Sequence, residues 1–194
     1  MTYPRRMVAT RSRNAQETRT DILAAARACF GADGYERTTL RAVAAHVGVD
    51  PALVIRYFGS KQDLFAAAVD FTLDLPDLTG VDPDRVAEVL LPKFFAVWED
   101  DPTFVALLRA AMTSASAADT MRKVFATQVA PVLFAVTPDN PGQRAGLMGS
   151  FIIGLATTRY VLTNPFVADL SQDELIRWAA PVVRQLLVGP APTG

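Results

Sequence analysis

Cysteine and histidine are nearly absent: one of each, Cys29 and His46, in 194 residues. A single thiol permits no disulfide within the chain. One His and one Cys on separate segments supply neither a metal-ligand spacing nor a nucleophile–base pair. A phosphate-binding glycine loop is missing too, and the acidic residues fall mostly at helix starts and in loops. An enzyme, a bound metal and a resident cofactor are therefore not expected. The alternative, a metabolite turned over in an apolar cavity, has no catalytic constellation to support it. Long hydrophobic runs are also lacking. The longest apolar tract, Ala145 to Thr158, lies between Arg144 and Arg159 and falls short of the about 20 residues that cross a bilayer. The first residues carry arginines but no apolar core of signal-peptide type. A cytoplasmic protein without a membrane partner is expected. No stretch shows sustained strand alternation, and there is no internal repeat.

What is present is apolar bulk and an uneven charge. Hydrophobic residues make up 51% of the chain, enough for one sizeable core or two small ones. The net charge of −1 conceals a split: 10 Lys+Arg against 6 Asp+Glu through Phe65 give +4, and 9 against 14 beyond it give −5. A basic front on an acidic body directs the front towards a polyanion.

Between Gly34 and Lys61 the residues punctuate two short helices. Thr38 or Thr39 can cap the first, where Leu40, Val43 and Ala44 recur at helical spacing. Gly48 stands where a left-handed backbone ends that helix. Asp50 caps the second, and Pro51 occupies its first turn, where a missing N–H costs nothing. Two helices joined by a Gly-containing turn make a helix-turn-helix.

The residues themselves go further than the pattern. Gly34-Tyr35-x-x-Thr38-Thr39, then Val43-Ala44-x-x-Val47-Gly48-Val49, then Tyr57-Phe58-Gly59-Ser60-Lys61 and Leu64-Phe65 resemble the DNA-binding domain of the TetR family of bacterial transcription repressors. The resemblance covers about the first third of the chain. It implies a helix-turn-helix DNA-binding domain over residues 1–60 and a regulatory, ligand-binding and dimerisation domain over 61–194. It also implies that the helix from Asp50 to Tyr57 enters the major groove of double-stranded DNA. Pro51, Ala52 and Leu53 would lie against bases, with apolar side chains touching thymine methyls, and Arg56 would grip a base or phosphate. Thr39 (or Thr38), Tyr57 and Lys61 would contact phosphates, with Arg41 a further contact. Where the family often has a Tyr two residues before Tyr57, this chain has Ile55, either core or facing a methyl group. His46 is expected on the helix surface. Met1 to Arg13, with Arg5, Arg6, Arg11 and Arg13, is either a disordered arm or a minor-groove arm.

Along the rest of the chain, cap signals place further helices. Asn14 with Glu17 opens the first helix, whose face of Ile22, Ala26, Cys29 and Phe30 buries the thiol, before Gly31 to Gly34 stop it. Ser60 with Asp63 opens a connector running to about Leu75, stopped by Pro76. Asp82-Pro83, Asp101-Pro102, Asn140-Pro141, Ser116 to Asp119 and Ser171 to Glu174 start five more, over 82–99, 102–115, 117–136, 141–163 and 172–188. Pro92, Pro131 and Pro181 should kink or break helices. The expected fold is all-α, a nine-helix TetR-like bundle.

One helix-turn-helix reads few base pairs, so such proteins usually dimerise on a palindromic operator. On the penultimate helix Gly146, Ser150, Gly154 and Thr158 form a strip of small residues. On the last, Leu175, Trp178, Ala179, Val182, Val183 and Leu186 form an apolar band. The family resemblance pairs these helices with their mates in a homodimer. The middle helices carry Phe94, Trp98, Phe104, Leu108, Met112, Phe125, Met148 and Phe151, a stripe that serves as plain core or lines an inducer pocket. Arg109 and Arg159 would meet an anionic or carbonyl-bearing ligand, or pair with acidic neighbours. The function implied is a repressor released by a small hydrophobic or amphipathic ligand. An activator or a broad DNA-coating protein of the same fold is the alternative.

Overall fold

The computed structural model describes residues 6–70 and 72–191, with side chains described from Ala15 onward. The side chains of the expected basic arm, of Asn14 and of Phe71 lie outside the described residues. Among those described there is no strand, and ten helical runs appear when each π-helical turn is counted with the helix it continues. The chain forms two compact units, Met1–Phe71 and Thr72–Gly194.

The first unit holds α1 (Arg6–Arg37), α2 (Leu40–Val47), α3 (Pro51–Phe58) and α4 (Lys61–Ala68). α1 is already helical before Asn14, so the expected cap there is interior to the helix. It runs to Arg37 across a break at Gly34, whose φ of 77° only glycine adopts at little cost. Ile22, Ala26 and Phe30 are buried, while Cys29 is half-buried rather than enclosed. That partial burial and nearby Asp33 push its thiol pKa up. Phe30, Tyr35 and Phe65 meet ring to ring, with Phe65 edge-on to Phe30 at 4.9 Å and to Tyr35 at 4.9 Å. Arg27 Nε donates to the Ala68 carbonyl at 3.0 Å, closing the end of α4. α4 thus belongs to the N-terminal unit, which reaches about ten residues beyond the expected boundary at 60.

α4 stops at Ala68 instead of near Leu75. Leu73, Leu75, Leu78 and Val81 pack into the core of the second unit, and burial of that side-chain set overrides helix propensity. Asp82 forms a turn, accepting from Asp84 N, and helix resumes only at Val86.

The second unit contains α5 (Val86–Asp100), α6 (Pro102–Ala111), α7 (Ala115–Val124), a π-helical turn (Phe125–Val129), α8 (Ala130–Phe134), α9 (Pro141–Ala156), a second π-helical turn (Thr157–Val161), α10 (Pro165–Ala168) and α11 (Gln172–Leu187). α11 packs on α5 and α9, and α8 on α9. Leu78, Leu90, Leu91, Phe95, Met148, Val183 and Leu187 are sealed in the centre. Ser171 with Glu174 and Ser60 with Asp63 form reciprocal capping boxes, and the serine contacts pull both carboxyl pKa values down. Ser116 does not cap α7. Ser114, two residues earlier, accepts from Ala117 N and takes that place. Asn140 precedes α9 in a left-handed conformation without a side-chain cap.

Pro92 and Pro181 lie inside uninterrupted helices, so the expected breaks do not occur there. At Pro131 the disturbance takes the form of the π-helical turn just upstream. Asn164 and Pro165 end the helix before them, then cap and start α10, the one helix beyond the nine expected. No helix among the described residues is long and apolar enough to cross a membrane.

Candidate functional site

In the N-terminal unit, α3 is set by what it buries. Val54 and Phe58, four apart, are its inward pair. Helical geometry then turns Ala52, Ile55 and Arg56 outward together, and all three are exposed. Ile55 is 52% exposed, which settles it as a surface residue. Asp50 Oδ1 accepts from Ala52 N at 2.7 Å and fixes the start of the helix. Gly48, with φ 76°, makes the turn from α2 and donates to carbonyls of α2's last turn. Pro51, Leu53 and Tyr57 are half-buried and flank the outward face. Arg56 carries its guanidinium 5.5 Å from the Tyr57 ring centroid.

The two threonines at the start of α2 separate cleanly. Thr38 is 1% exposed, and its hydroxyl lies 2.8 Å from the Gly34 carbonyl and 3.1 Å from that of Cys29. It is occupied inside the unit and does not reach a ligand at the surface. Thr39 is exposed and caps α2, accepting from Ala42 N at 3.1 Å. Arg41 and His46 are exposed on the same helix. Lys61 is half-buried: Nζ donates to the Glu36 carbonyl at 3.0 Å and stands 4.5 Å from the Tyr35 ring centroid. It is therefore tied into the fold as well as being a cation beside the helix-turn-helix.

In the C-terminal unit a small cavity of about 40 Å³ lies among α5, α6, α7, the first π-helical turn, α8 and α9. Phe94, Trp98, Phe104, Leu108, Phe125 and Met148 line it. Phe151 is not in its wall, and Met112, 63% exposed, lines a separate open groove. Neither arginine faces the cavity. Arg109 Nη2 donates to the Tyr160 carbonyl, and Arg159 Nη1 to the carbonyls of Val167, Ala168 and Leu170. Arg159 also stands 3.9 Å from Glu99, so both cations are committed within the unit. Glu99 receives the Tyr160 hydroxyl at 2.7 Å, and burial with that carboxylate raises the phenol pKa.

Among the wall residues outside the expected stripe are Leu73, Gly149 and Ile153. A spacing signal was present for two of them, since Gly149 and Ile153 are four apart on one helix and share a face. Leu73 had none, because it comes from a non-helical segment. Gly149 matters by its lack of a side chain: a Cβ there would lie 2.6 Å from Cε2 of Phe125. The ring of Phe125 occupies that space.

The expected pairing face is split. Leu175, Ala179 and Val183 are buried within this unit's own core, and Leu186 packs against it. Those three are unavailable to a second chain. Trp178, 77% exposed, and Val182, 40% exposed, remain on the outer side of α11. Gly146, Ser150 and Gly154 on α9 are exposed, and Thr158 in the π-helical turn that follows is half-buried. With Met112 and Met121 they border the open groove of about 850 Å³.

The sequence model for bacterial regulatory proteins of the TetR family matches residues 22–68. The model for tetracyclin repressor-like C-terminal domains matches residues 84–187, more than half of the chain. Uncharacterised HTH-type transcriptional regulators from Mycobacterium bovis and Mycobacterium tuberculosis are 34% identical over 127 residues, which span 63% of this chain and 59% of each relative. A TetR-family regulator of Streptomyces coelicolor superimposes with a TM-score of 0.60 at 28% identity, covering 89% of this chain and 95% of that one. NalD, described as the secondary repressor of the MexAB-OprM multidrug efflux pump in Pseudomonas aeruginosa, has a TM-score of 0.64 at 20% identity, covering 89% and 97%; at that identity the likeness concerns fold alone. With its N-terminal helix-turn-helix and its C-terminal helical unit both matched, this chain belongs to the TetR family of DNA-binding transcriptional regulators.

Proposed function

We propose that the chain is a homodimeric repressor. Two copies of the N-terminal unit bind the halves of a palindromic operator, and a small, largely apolar molecule in the C-terminal unit releases them. The observation that carries the DNA-binding part is the outward face of α3. Ala52, Ile55 and Arg56 stand clear of the core, and Thr39 and Arg41 at the start of α2 are exposed as well. Arg56 would provide the polar base contact, Ala52 and Ile55 would meet thymine methyls, and Thr39, Arg41, Tyr57 and Lys61 would hold phosphates.

Dimerisation is supported by the exposed small residues of α9 and by Trp178 and Val182 on α11. Small side chains let a helix from a second copy approach closely. Release follows from population shift: a ligand lowers DNA affinity only as far as it prefers the state with poorly placed heads.

Selection of bound sequences from random duplex DNA, alongside sedimentation of the same preparation, tests this reading. A palindromic consensus bound by a dimer is expected. A chain that stays monomeric, or that ignores duplexes even at low ionic strength, overturns it. Placement of the selected site over a promoter is expected for a repressor, and upstream placement with raised transcription would make it an activator.

A further inference from the structure

Among the described residues of the N-terminal unit, Ile55 is the one large hydrophobic side chain left exposed. Val54 and Phe58 on the same helix are buried, as are Phe30 and Leu64. The face around Ile55 has little to hydrogen-bond with. Pro51, Ala52 and Leu53 carry no side-chain donor or acceptor, and Asp50 is committed as the cap, accepting from Ala52 N. Side chains that read a major groove by hydrogen bonds are chiefly Arg, Lys, Asn and Gln. Of these, α3 has Arg56 alone. The apolar feature that a base edge offers in that groove is the C5-methyl of thymine. The positive charge carried through Phe65, 10 Lys+Arg against 6 Asp+Glu, suits the phosphates on either side of it.

We infer that Ile55 reads the operator through a pyrimidine C5-methyl group, and that operator binding therefore responds to C5 methylation of cytosine. The inference rests on the reading that α3 enters the major groove. Hydrogen-bonding side chains tell thymine from cytosine by the O4 acceptor of one and the N4 amine of the other. Ile55 has neither donor nor acceptor and is blind to that difference. What it meets is the methyl on C5, and 5-methylcytosine carries this group at the same ring position as thymine. Thymine and 5-methylcytosine are then equivalent opposite Ile55, while cytosine and uracil, which lack the methyl, are disfavoured together. A methyl buried between the base edge and Ile55 contributes about fourfold in affinity, so a change in both halves of a palindrome amounts to roughly 15-fold. Where a half-site has cytosine at that position, methylation turns a poor contact into a good one. The same operator then binds weakly or tightly according to its methylation, with no change of sequence.

The test selects bound sequences with the full chain from two random duplex libraries. One is built from the ordinary bases. In the other every thymine is replaced by uracil and every cytosine by 5-methylcytosine, which moves the methyl from one pyrimidine to the other and leaves base pairing unchanged. At one position in each half-site the consensus is expected to pass from thymine to 5-methylcytosine. On a duplex taken from the ordinary selection, uracil at that thymine in both half-sites should lower affinity roughly 15-fold. In Ile55→Ala the thymine and uracil duplexes should bind alike, a coupling that a general loss of affinity does not produce. The side chain is exposed, so its removal leaves the core of the unit untouched. Three outcomes overturn the methyl reading and leave DNA binding standing: a consensus that keeps uracil where thymine stood, enrichment from the ordinary library alone, or a uracil penalty that persists in Ile55→Ala. Failure to enrich any sequence from the ordinary library overturns both.

Discussion

The backbone N–H of Leu73 donates to the side-chain oxygen of Gln128 at 2.7 Å. Gln128 lies in the same π-helical turn as Phe125. Leu73 is itself part of the cavity wall and stands five residues past the end of α4. On the proposed mechanism, a change of the turn on ligand entry would act on the segment that leads into the N-terminal unit. Gln128→Ala is expected to leave ligand affinity within about threefold while reducing the ligand's effect on operator affinity, since the coupling is limited by the free energy shared between the sites. Fluorescence anisotropy on labelled operator, with and without ligand, checks this; an undiminished ligand effect would remove the coupling role from this bond.

The cations around the helix-turn-helix are expected to divide by role. Arg41→Ala should weaken binding alike on all operator variants and lower the salt slope by about one. Lys61→Ala should do the same and also destabilise the unit by about 1 kcal/mol, because Nζ holds the Glu36 carbonyl and faces Tyr35. Arg56→Ala or changes at Ala52 should alter sequence preference instead. Salt titrations on a set of operator variants distinguish the two behaviours.

Thr38 and Thr39 should respond differently to loss of the hydroxyl. Thr38→Val removes a buried donor and is expected to cost roughly 1–3 kcal/mol of stability without changing sequence preference. Thr39→Ala removes a cap worth about 1 kcal/mol and a surface hydroxyl, so operator affinity should fall along with stability. Urea unfolding and operator titration, run on both variants, read the two effects separately.

Gly154→Leu tests the proposed pairing face. A Cβ at Gly154 meets nothing within 4 Å in the subunit, and replacing a helical glycine favours the helix by about 1 kcal/mol. The single subunit should keep its stability while association weakens at least 10-fold, seen by sedimentation across a concentration series. An unchanged dimer would place the pairing surface elsewhere.

Acid should loosen the end of α11. Arg144 is buried and donates to Asp139, to the Leu186 carbonyl and to that of Gly189. Its guanidinium holds the Asp139 carboxyl below the usual carboxylate range. A folded-state value below the unfolded one means that the contribution is complete above the unfolded value and is lost as pH falls through the folded one. Asp139→Asn should therefore be less stable than wild type at neutral pH and indistinguishable from it in strong acid, as followed by urea unfolding at both.

The local grammar of this chain was written in its residues. Gly48, Asp50-Pro51, Ser60 with Asp63 and Ser171 with Glu174 act over three or four residues, and the helix ends they specify are the ones observed. The stretch from Gly34 to Phe65 carried enough side-chain identity to mark the family. Periodicity, by contrast, tells which residues share a face and not what covers that face. Thr38 and Thr39 are equivalent as caps until packing on α1 buries one of them. The apolar band of α11 divides between core and surface only because α5 and α9 take Leu175, Ala179 and Val183 and leave Trp178 outside. Arg109 is taken by the Tyr160 carbonyl, 51 residues on, and Arg159 by carbonyls just past its own helix, while α4 yields to a non-helical segment because Leu73 to Val81 have a core to enter. Burial is a property of neighbours brought in from elsewhere in the chain, and that is what tertiary structure alone decided.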